Sequence, residues 1–450
     1  QQLRSRLAAA FLVCALGMLG APSGAGAQVL GPGPKATQKP DPKPPLSLGG
    51  ELRAYSFQRA NANGEQTRDA TNFSALIHAD YRFEDSGLSL GATYVGAYPF
   101  GINGSNPQFL EQIDNTLPGA TLSAFPETYL KYAKKHLTAV VGNQFYNEKW
   151  MPSSDARLKP AAYQAILASY QVIPHLTVSV VREIRWENRT SSAFTRNTLL
   201  TSNVLGQPPH PEIDTPGTLL ANVAYTTPRL SALLENYQFY DIANLVYGEL
   251  HVNLYPSKLN PFINLQAVAE NNIGTNVLGQ IHAHTYGAQL GFNLTPQVTA
   301  TFGYDGSPTV LSATPTYFRS VKLGPGEYAT GSLASPFTDF YVTDPLYTDS
   351  LTDGPIELEA TRNFKVGLEY KSPDKRLDFY ATRAYYENVA YAPGNTINET
   401  DGDVTYLFMP VGKGAYKGLS IRERIGFRNE PFTPKNPAFT YIRSQLQYTF

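Results

Sequence analysis

Arginines near the carboxyl end of the chain recur at a spacing that would align them on one face of a strand. Arg422, Arg424 and Arg428 recur at even positions along residues 418–428, and Arg443 falls on the corresponding face of the last segment, with Tyr441 and Gln445. Alternate residues of a strand point to one face, so the four guanidiniums would form a track. Fixed cations guide anions through a pore, and an arginine can hold a carboxylate through two parallel hydrogen bonds. The alternative is that acids on this face neutralise the arginines, which then only fill space.

A second group of charges, Asp155, Arg157 and Lys159, lies at alternate positions between two predicted strands. A selective pore presents opposing charges at its narrowest point. If this loop enters the pore, its charges suit a solute that bears a carboxylate, alone or together with an amine. In an external loop the same side chains would simply be solvated.

Other reactive side chains suggest no further chemistry. His282 and His284 are two residues apart and could bind a metal from one strand. Their parity matches that of Tyr286 on the predicted outward face, so we expect them at the outer rim. The sequence contains no nucleophile elbow, zinc-protease motif, phosphate loop or dinucleotide fingerprint. We therefore predict no catalytic residue, no metal site and no cofactor, and hence not an enzyme.

The elements that would position these residues alternate with a period of two. In residues 72–83, Phe73, Ile77 and Tyr81 fall on one face and Asp80 falls on the other. Helical spacing at i, i+3 and i+4 would not produce this pattern, whereas extended strands do.

Eighteen such segments are predicted, and an even number is typical of bacterial barrels. The segment near 403 has the weakest pattern, and the even count supports it. With eighteen strands, both chain ends lie on the periplasmic side. The predicted starts are residues 50, 72, 86, 126, 137, 161, 175, 218, 230, 245, 262, 280, 298, 362, 377, 403, 418 and 439.

The connections between segments are of two kinds. Residues 226–229 form a tight turn, whereas 188–217 and 306–361 are long loops. Short turns on one rim, long loops on the other and aromatic residues flanking the apolar faces are typical of a transmembrane β-barrel. A soluble sandwich or propeller also alternates but does not need these features. We predict an all-β, antiparallel transmembrane barrel whose apolar side chains face lipid and whose polar ones line a hollow.

The composition agrees with this fold class. Charged residues are 16% of the chain, against about 25% in average soluble proteins, and aromatic residues are 12%. The balance of 36 basic and 37 acidic residues argues against a nucleic-acid-binding protein of the usual basic kind. After the first 20 residues, no apolar run approaches the ~20 residues of a membrane-spanning helix.

The amino end predicts export. Arg4 and Arg6 precede an apolar run and the small residues 25–27, which is the pattern of a secretory signal peptide over residues 1–27. Residues 28–46 are rich in proline and glycine and predict a disordered leader. The barrel would then occupy residues 47–450.

The last segment is the most specific motif of the chain. Ile442, Leu446, Tyr448 and Phe450 share one face, and the chain ends at the aromatic Phe450. This pattern resembles the C-terminal signal that the barrel assembly machinery of the bacterial outer membrane reads. We predict Tyr448 and Phe450 to be the assembly signal, with outer-membrane lipid and lipopolysaccharide as the surroundings.

Several short segments resemble the OprD family of substrate-specific outer-membrane porins. Residues 52–59 resemble its first strand, and residues 417–422 resemble its penultimate strand. Residues 142–144, 147, 154–160 and 163 resemble its fifth strand and third loop. The chain departs from the family pattern at residues 148–150, where Glu-Lys-Trp replaces smaller residues, and at Ala165, where the family often has glycine.

The resemblance implies a function. In the family the third loop folds into the barrel opposite an arginine ladder, and the solutes are small molecules that bear a carboxylate. It implies that Asp155 and Arg157 line the constriction and that Arg422, Arg424 and Arg443 belong to the ladder. We therefore expect a porin for small hydrophilic solutes such as amino acids, peptides or organic acids. The alternative is a barrel that acts as an adhesin or as the sheath of an envelope complex, and the oligomeric state is not predicted.

Overall fold

The alternating segments form long antiparallel strands, because alternation gives each strand one apolar face and one polar face. The computed structural model describes residues 45–61, 68–103, 121–153, 157–201, 212–308, 310–312, 321–331, 333–338, 343–352, 354–356, 361–388, 396–408, 418–429 and 438–450. The predicted signal peptide (1–27) and most of the predicted leader (28–46) lie outside these residues.

One sheet of the described residues contains eighteen strands, each antiparallel to the next. These strands are β1 (Leu46–Asn61), β2 (Arg68–Arg82), β3 (Leu88–Tyr98), β4 (Leu122–Lys134), β5 (Leu137–Gln144), β8 (Ala162–Ile173), β9 (Leu176–Glu187), β10 (Thr218–Thr226), β11 (Leu230–Phe239), β12 (Ala243–Asn253), β13 (Phe262–Asn272), β14 (His282–Thr295), β15 (Val298–Gly306), β19 (Thr361–Lys371), β20 (Leu377–Asn388), β21 (Thr396–Leu407), β22 (Leu419–Asn429) and β23 (Phe439–Thr449).

Short strands also occur within the connecting loops, where they form two small separate sheets. These strands are β6 (Asn147–Glu148), β7 (Met151–Pro152), β16 (Val310–Ser312), β17 (Val321–Gly324) and β18 (Glu327–Thr330).

The large sheet closes on itself between its first and last strands. β1 pairs with β23 over eleven residues, from Glu51 opposite Thr449 to Asn61 opposite Phe439. Closure removes the open edges of the sheet, which a bilayer cannot hydrate. Within the described ranges, no helix has the length and apolar character needed to cross a membrane.

This architecture confirms the predicted eighteen-stranded barrel, and the predicted starts lie close to the observed ones. The largest difference is at β21, which begins at Thr396, seven residues before the predicted 403. The segment predicted only from weak alternation is therefore a full strand of the sheet. β1 begins at Leu46, one residue before the predicted start of the barrel.

The two faces of the wall separate as the alternation predicts. Ile77 on β2 is 48% exposed and Phe364 on β19 is 53% exposed, although both are large and apolar. Residues opposite each other in an antiparallel pair share a face, so these exposed residues identify the outward face of each strand. The outer surface is apolar, as a lipid-facing wall requires.

The connections place the long loops on one rim. We call the rim with the short turns and both ends of the barrel the lower rim, and the opposite one the upper rim. Counted along the upper rim, the third loop covers residues 145–161 and the seventh covers residues 307–360.

The inner face is less polar than the alternation predicts. The ring of Phe337, in the seventh loop, lies 5.6 Å from that of Tyr163, 5.5 Å from that of Trp186 and 6.0 Å from that of Phe239, all on the barrel wall. Trp150 of the third loop is fully buried in the same cluster. The inner wall from β8 to β13 is therefore apolar where these loops pack against it. The alternation of the sequence does not predict this, because it does not show which loops pack inside the barrel.

Candidate functional site

The predicted arginine track is joined to an acid that the sequence analysis did not single out. Asp403 on β21 lies opposite Arg424 on β22 in the strand register. Arg422 donates to both carboxylate oxygens of Asp403, through Nε at 2.8 Å and Nη2 at 2.7 Å. Arg424 donates to the same carboxylate through Nε at 2.5 Å. One acid therefore holds two guanidiniums, and the three side chains together keep one net positive charge.

The four predicted arginines differ in how far they are accessible. The Arg422 side chain is 34% exposed, whereas that of Arg424 is 10% exposed. Arg443 is almost fully buried, and its guanidinium carbon lies 5.6 Å from the centre of the Tyr55 ring. Arg428, which is half-buried, lies opposite Glu399 on β21. The arginines share the inner wall, but Arg422 presents the most accessible charge of the cluster with Asp403.

The third loop packs on the inner side of the first two strands. Arg53 of β1 donates through Nη1 to the carbonyl oxygen of Arg157 at 2.7 Å, and Ser74 of β2 donates to that of Leu158 at 3.0 Å. The Arg157 guanidinium lies 5.3 Å from the centre of the Phe57 ring. Arg157 is therefore held against the inner face of the barrel wall, and none of its surface is exposed. Asp155 lies outside the described residues.

Lys159 does not take the position that the sequence analysis assigned to it. Its ammonium lies 2.6 Å from a carboxylate oxygen of Glu187 and donates to the carbonyl of Asn188 at 2.8 Å, and both charged side chains are buried. Burial lowers the pKa of Lys159, and the Glu187 carboxylate opposes this shift. An ammonium so enclosed cannot meet a passing solute, so Lys159 anchors the base of the third loop instead.

The tip of the third loop contacts the opposite part of the wall. Asn222 of β10 donates to a carboxyl oxygen of Glu148 at 3.2 Å. Lys149 lies 2.5 Å from a carboxylate oxygen of Glu249 on β12. The backbone N–H of Trp150 donates to the phenol oxygen of Tyr237 on β11 at 3.2 Å. The residues that depart from the OprD pattern are therefore those that dock the tip.

Glu148 also lies beside a second acid, Glu235 on β11. Two neighbouring carboxylates repel each other, so such a pair favours the state with a single proton. Burial raises the pKa of Glu148, and its contacts with Glu235 and Asn222 oppose this shift. Tyr237 donates to Glu235 at 2.8 Å, so the pair is connected to the Trp150 contact.

The seventh loop is held by acids of the inner wall that the sequence analysis also missed. Asp305 of β15 accepts from the backbone N–H of Thr348 at 2.6 Å and from its hydroxyl at 2.7 Å. Glu399 of β21 accepts from the N–H of Thr352 at 2.8 Å. The available signal was the inward parity of these acids, of which Asp305 is the only charged residue of β15 and Glu399 is followed by Asp401 and Asp403 on β21.

The predicted assembly signal lies at the seam of the barrel. Phe450 donates its N–H to the carbonyl of Gly50 at 2.9 Å and accepts from the N–H of Gly50 at 3.1 Å. The rings of Tyr448 and Phe450 lie 5.9 Å apart. A Cβ atom at Gly50 would clash with the carbonyl oxygen of Leu76 and would lie 2.9 Å from the Phe450 ring, so only glycine fits at this position.

Solved structures with the same architecture are similar over almost the whole chain. The alignments cover 90% of this chain and 98% of Pseudomonas aeruginosa OpdK, crystallised with vanillate (TM-score 0.69, 15% identity), 98% of P. aeruginosa OccK8, or OprE (0.70, 13%), and 99% of Acinetobacter baumannii OccAB3 (0.68, 14%). No family model and no curated protein sequence matches the chain. The chain therefore has the fold of the OprD/Occ porins, which confirms the fold that the sequence resemblance implied.

Proposed function

We propose that this chain is an outer-membrane porin of the OprD type that passes small hydrophilic solutes bearing a carboxylate. The closed wall with an apolar outer surface supports a place in the bacterial outer membrane, inserted by the barrel assembly machinery and surrounded by lipid and lipopolysaccharide. The observation that carries the proposal is the half-exposed Arg422, held on the inner wall by Asp403.

The contacts of the third loop support a narrowed pore. Its residues Arg157 and Leu158 contact β1 and β2, whereas residues 148–150 contact β10, β11 and β12. A loop bound to two distant parts of a closed wall must cross the space between them. The solute path then runs between this loop and the arginines of β22.

Carboxylates are the solutes that this wall favours. A guanidinium offers paired donors that match the two oxygens of a carboxylate, and Arg422 already binds Asp403 in this way. A solute carboxylate can take the same geometry at the accessible side of Arg422. OpdK was crystallised with vanillate, which also carries a carboxylate.

The alternative that the sequence leaves open is an adhesin or the sheath of an envelope complex. An adhesin or a sheath does not need charges positioned on an inner wall, and a porin does not need a catalytic step. We therefore propose a channel rather than an enzyme or a structural barrel.

Substitution of Arg422 tests the proposal. The Arg422→Ala variant should lose anion preference in planar bilayers, measured as the reversal potential in a salt gradient, and should slow the entry of carboxylates into liposomes. Arg362→Ala is the matched control, because Arg362 lies on the outward face and pairs with Glu387 at 2.9 Å. Unchanged selectivity and uptake in Arg422→Ala would contradict the proposed solute path, and a purified protein without conductance would contradict the porin itself.

A further inference from the structure

An acidic residue lies on the outward face in the middle of β22. Glu423 alternates with Ile421 and Ile425 along this strand. In the register it lies opposite Val404 on β21 and Ser444 on β23. Its carboxylate accepts a hydrogen bond from the Ser444 hydroxyl at 2.6 Å. A charge at this height on a lipid-facing wall is unfavourable, so its presence calls for a partner.

The polar character continues across the neighbouring strands. Ser444 lies opposite Ser56 of β1, and Ser56 lies opposite Thr71 of β2. The Thr71 hydroxyl donates to that of Ser56 at 3.0 Å. One row of the outward face is therefore polar over four adjacent strands.

A basic residue occupies the same sector of the wall. Arg383 on β20 has the outward parity of Phe379 and Tyr385, which are both exposed. Its guanidinium donates to the hydroxyl of Thr400 and lies 5.3 Å from the centre of the Tyr385 ring. Arg182 of β9, which also faces outward, differs in donating to the backbone carbonyls of Pro216 and Thr218.

Arg383 and Glu423 lie at nearly the same depth but cannot reach each other. Arg383 lies four residues beyond Phe379 along β20, which raises it by about 10 Å at a strand tilt of about 40°. Glu423 belongs to the same row of opposed residues as Phe379 and lies two strands away from it. Because the strands are tilted, this row rises from Phe379 towards Thr71, so Glu423 lies about 6 Å higher than Phe379. The two residues are then about 16 Å apart on one face, too far for an ion pair within one chain.

Gly402 lies midway between the two charges. Arg383 is opposite Thr400 and Glu423 is opposite Val404, and Gly402 lies between Thr400 and Val404 on the outward face of β21. Because glycine has no side chain, a second wall can approach most closely at this point. A two-fold axis beside Gly402, parallel to the barrel axis, brings Arg383 of each copy opposite Glu423 of the other.

We propose that the outward face of β20, β21 and β22 binds a second copy of this chain, with two ion pairs around Gly402. The arrangement is self-complementary, as a two-fold interface must be. Both copies keep the same orientation in the membrane, and the interface does not depend on what passes through either pore.

Disulfide cross-linking of the full chain tests this interface. The only cysteine of the sequence is Cys14, within the predicted signal peptide, so Gly402→Cys introduces a single thiol that meets its symmetry mate near the axis. We expect cross-linked dimer in outer membranes under mild oxidation. The matched control is Gly248→Cys, an outward glycine of β12 with open space around it.

Charge reversal on the Gly402→Cys background separates the proposed interface from chance collisions. Arg383→Glu and Glu423→Arg should each lower the dimer yield by about tenfold, because like charges then face each other, and the double reversal should restore it. Heat-modifiable migration on gels identifies the variants that fold. If Glu423→Arg does not fold, Glu423→Gln replaces it, because glutamine keeps a hydrogen bond to Ser444 and removes the charge. Equal cross-linking at residues 402 and 248, or no recovery in the double variant, would overturn the proposal. Monomeric protein that co-purifies with lipopolysaccharide, and loses it in Arg383→Glu, would also overturn the proposal.

Discussion

Arg424 and Arg443 lie directly opposite each other on β22 and β23, with both side chains on the inner wall. Two neighbouring guanidiniums repel unless other groups compensate for their charges. Asp403 accepts from Arg424 on one side, and the Tyr55 ring lies against Arg443 on the other. The positive strip is therefore held in place by an acid and by aromatic rings, and only part of it is accessible.

Removing the acid should increase the positive field in the pore. We expect Asp403→Asn to raise the preference for anions several-fold, because Arg422 and Arg424 lose the carboxylate that neutralises one of their two charges. The reversal potential in a salt gradient measures this change. Glu387→Gln is the control, since Glu387 lies on the outward face. An unchanged potential in the Asp403 variant would show that ions do not sense this cluster.

Removing the buried ammonium should loosen the third loop. We expect Lys159→Met to cost about 3–5 kcal/mol, because Glu187 is left as a buried charge without its partner. Chemical unfolding and protease cleavage within residues 145–161 measure the loss, and the control is Lys135→Met in an exposed turn. The double variant Lys159→Met with Glu187→Leu should be more stable than Lys159→Met alone. Equal stability of the single and double variants would contradict the anchoring role.

The docking of the loop tip should depend on pH. The pKa of Glu148 is raised by burial, so its protonated form stabilises the docked tip. This stabilisation is complete below the ordinary pKa of about 4.3 and is lost as the pH rises through the raised value. Single-channel current should therefore be steadier at acidic pH and noisier near neutrality.

Glu148→Gln tests the source of this pH dependence. Glutamine keeps donors and acceptors without titrating, so the noise should depend less on pH in Glu148→Gln and should become nearly independent of pH in the double variant with Glu235→Gln. Glu84→Gln, in an exposed turn of the lower rim, should leave the dependence unchanged. A pH dependence that persists unchanged in Glu148→Gln and in the double variant would assign it to other groups.

Deletion of Phe450 should impair insertion. The deletion removes both backbone hydrogen bonds to Gly50 at the seam between β1 and β23, together with the predicted assembly signal. We expect a large loss of heat-modifiable protein in the outer membrane. Phe408→Ala removes another exposed aromatic near the lower rim and should insert almost normally. Normal surface levels of the truncated chain would contradict the signal.

The sequence predicts the strands well because their outward faces must be apolar in a bilayer. The β21 strand shows where this rule weakens. Asn398 and Thr400 face outward while Glu399 and Asp401 face inward, so hydrophobicity does not alternate there and the predicted start was seven residues late. The strand was still predicted because bacterial barrels have an even number of strands.

The site was less predictable because its contacts join residues that are distant in sequence. Lys159 alternates with Arg157 along the chain, yet it turns away to Glu187. Alternation gives the face of a strand residue but says nothing about a loop side chain. The contacts of the inward tyrosines and acids similarly depend on which loops enter the barrel. The alternation of the sequence carries no information on this.

The seventh loop has a mechanical consequence. It is hydrogen-bonded to Glu270 on β13, to Asp305 on β15 and to Glu399 on β21, so this one loop connects strands across six neighbouring positions of the wall. Lateral pressure that would flatten the cylinder into an ellipse has to stretch these bonds first. The seventh loop therefore helps the closed sheet to keep the cross-section of the pore round.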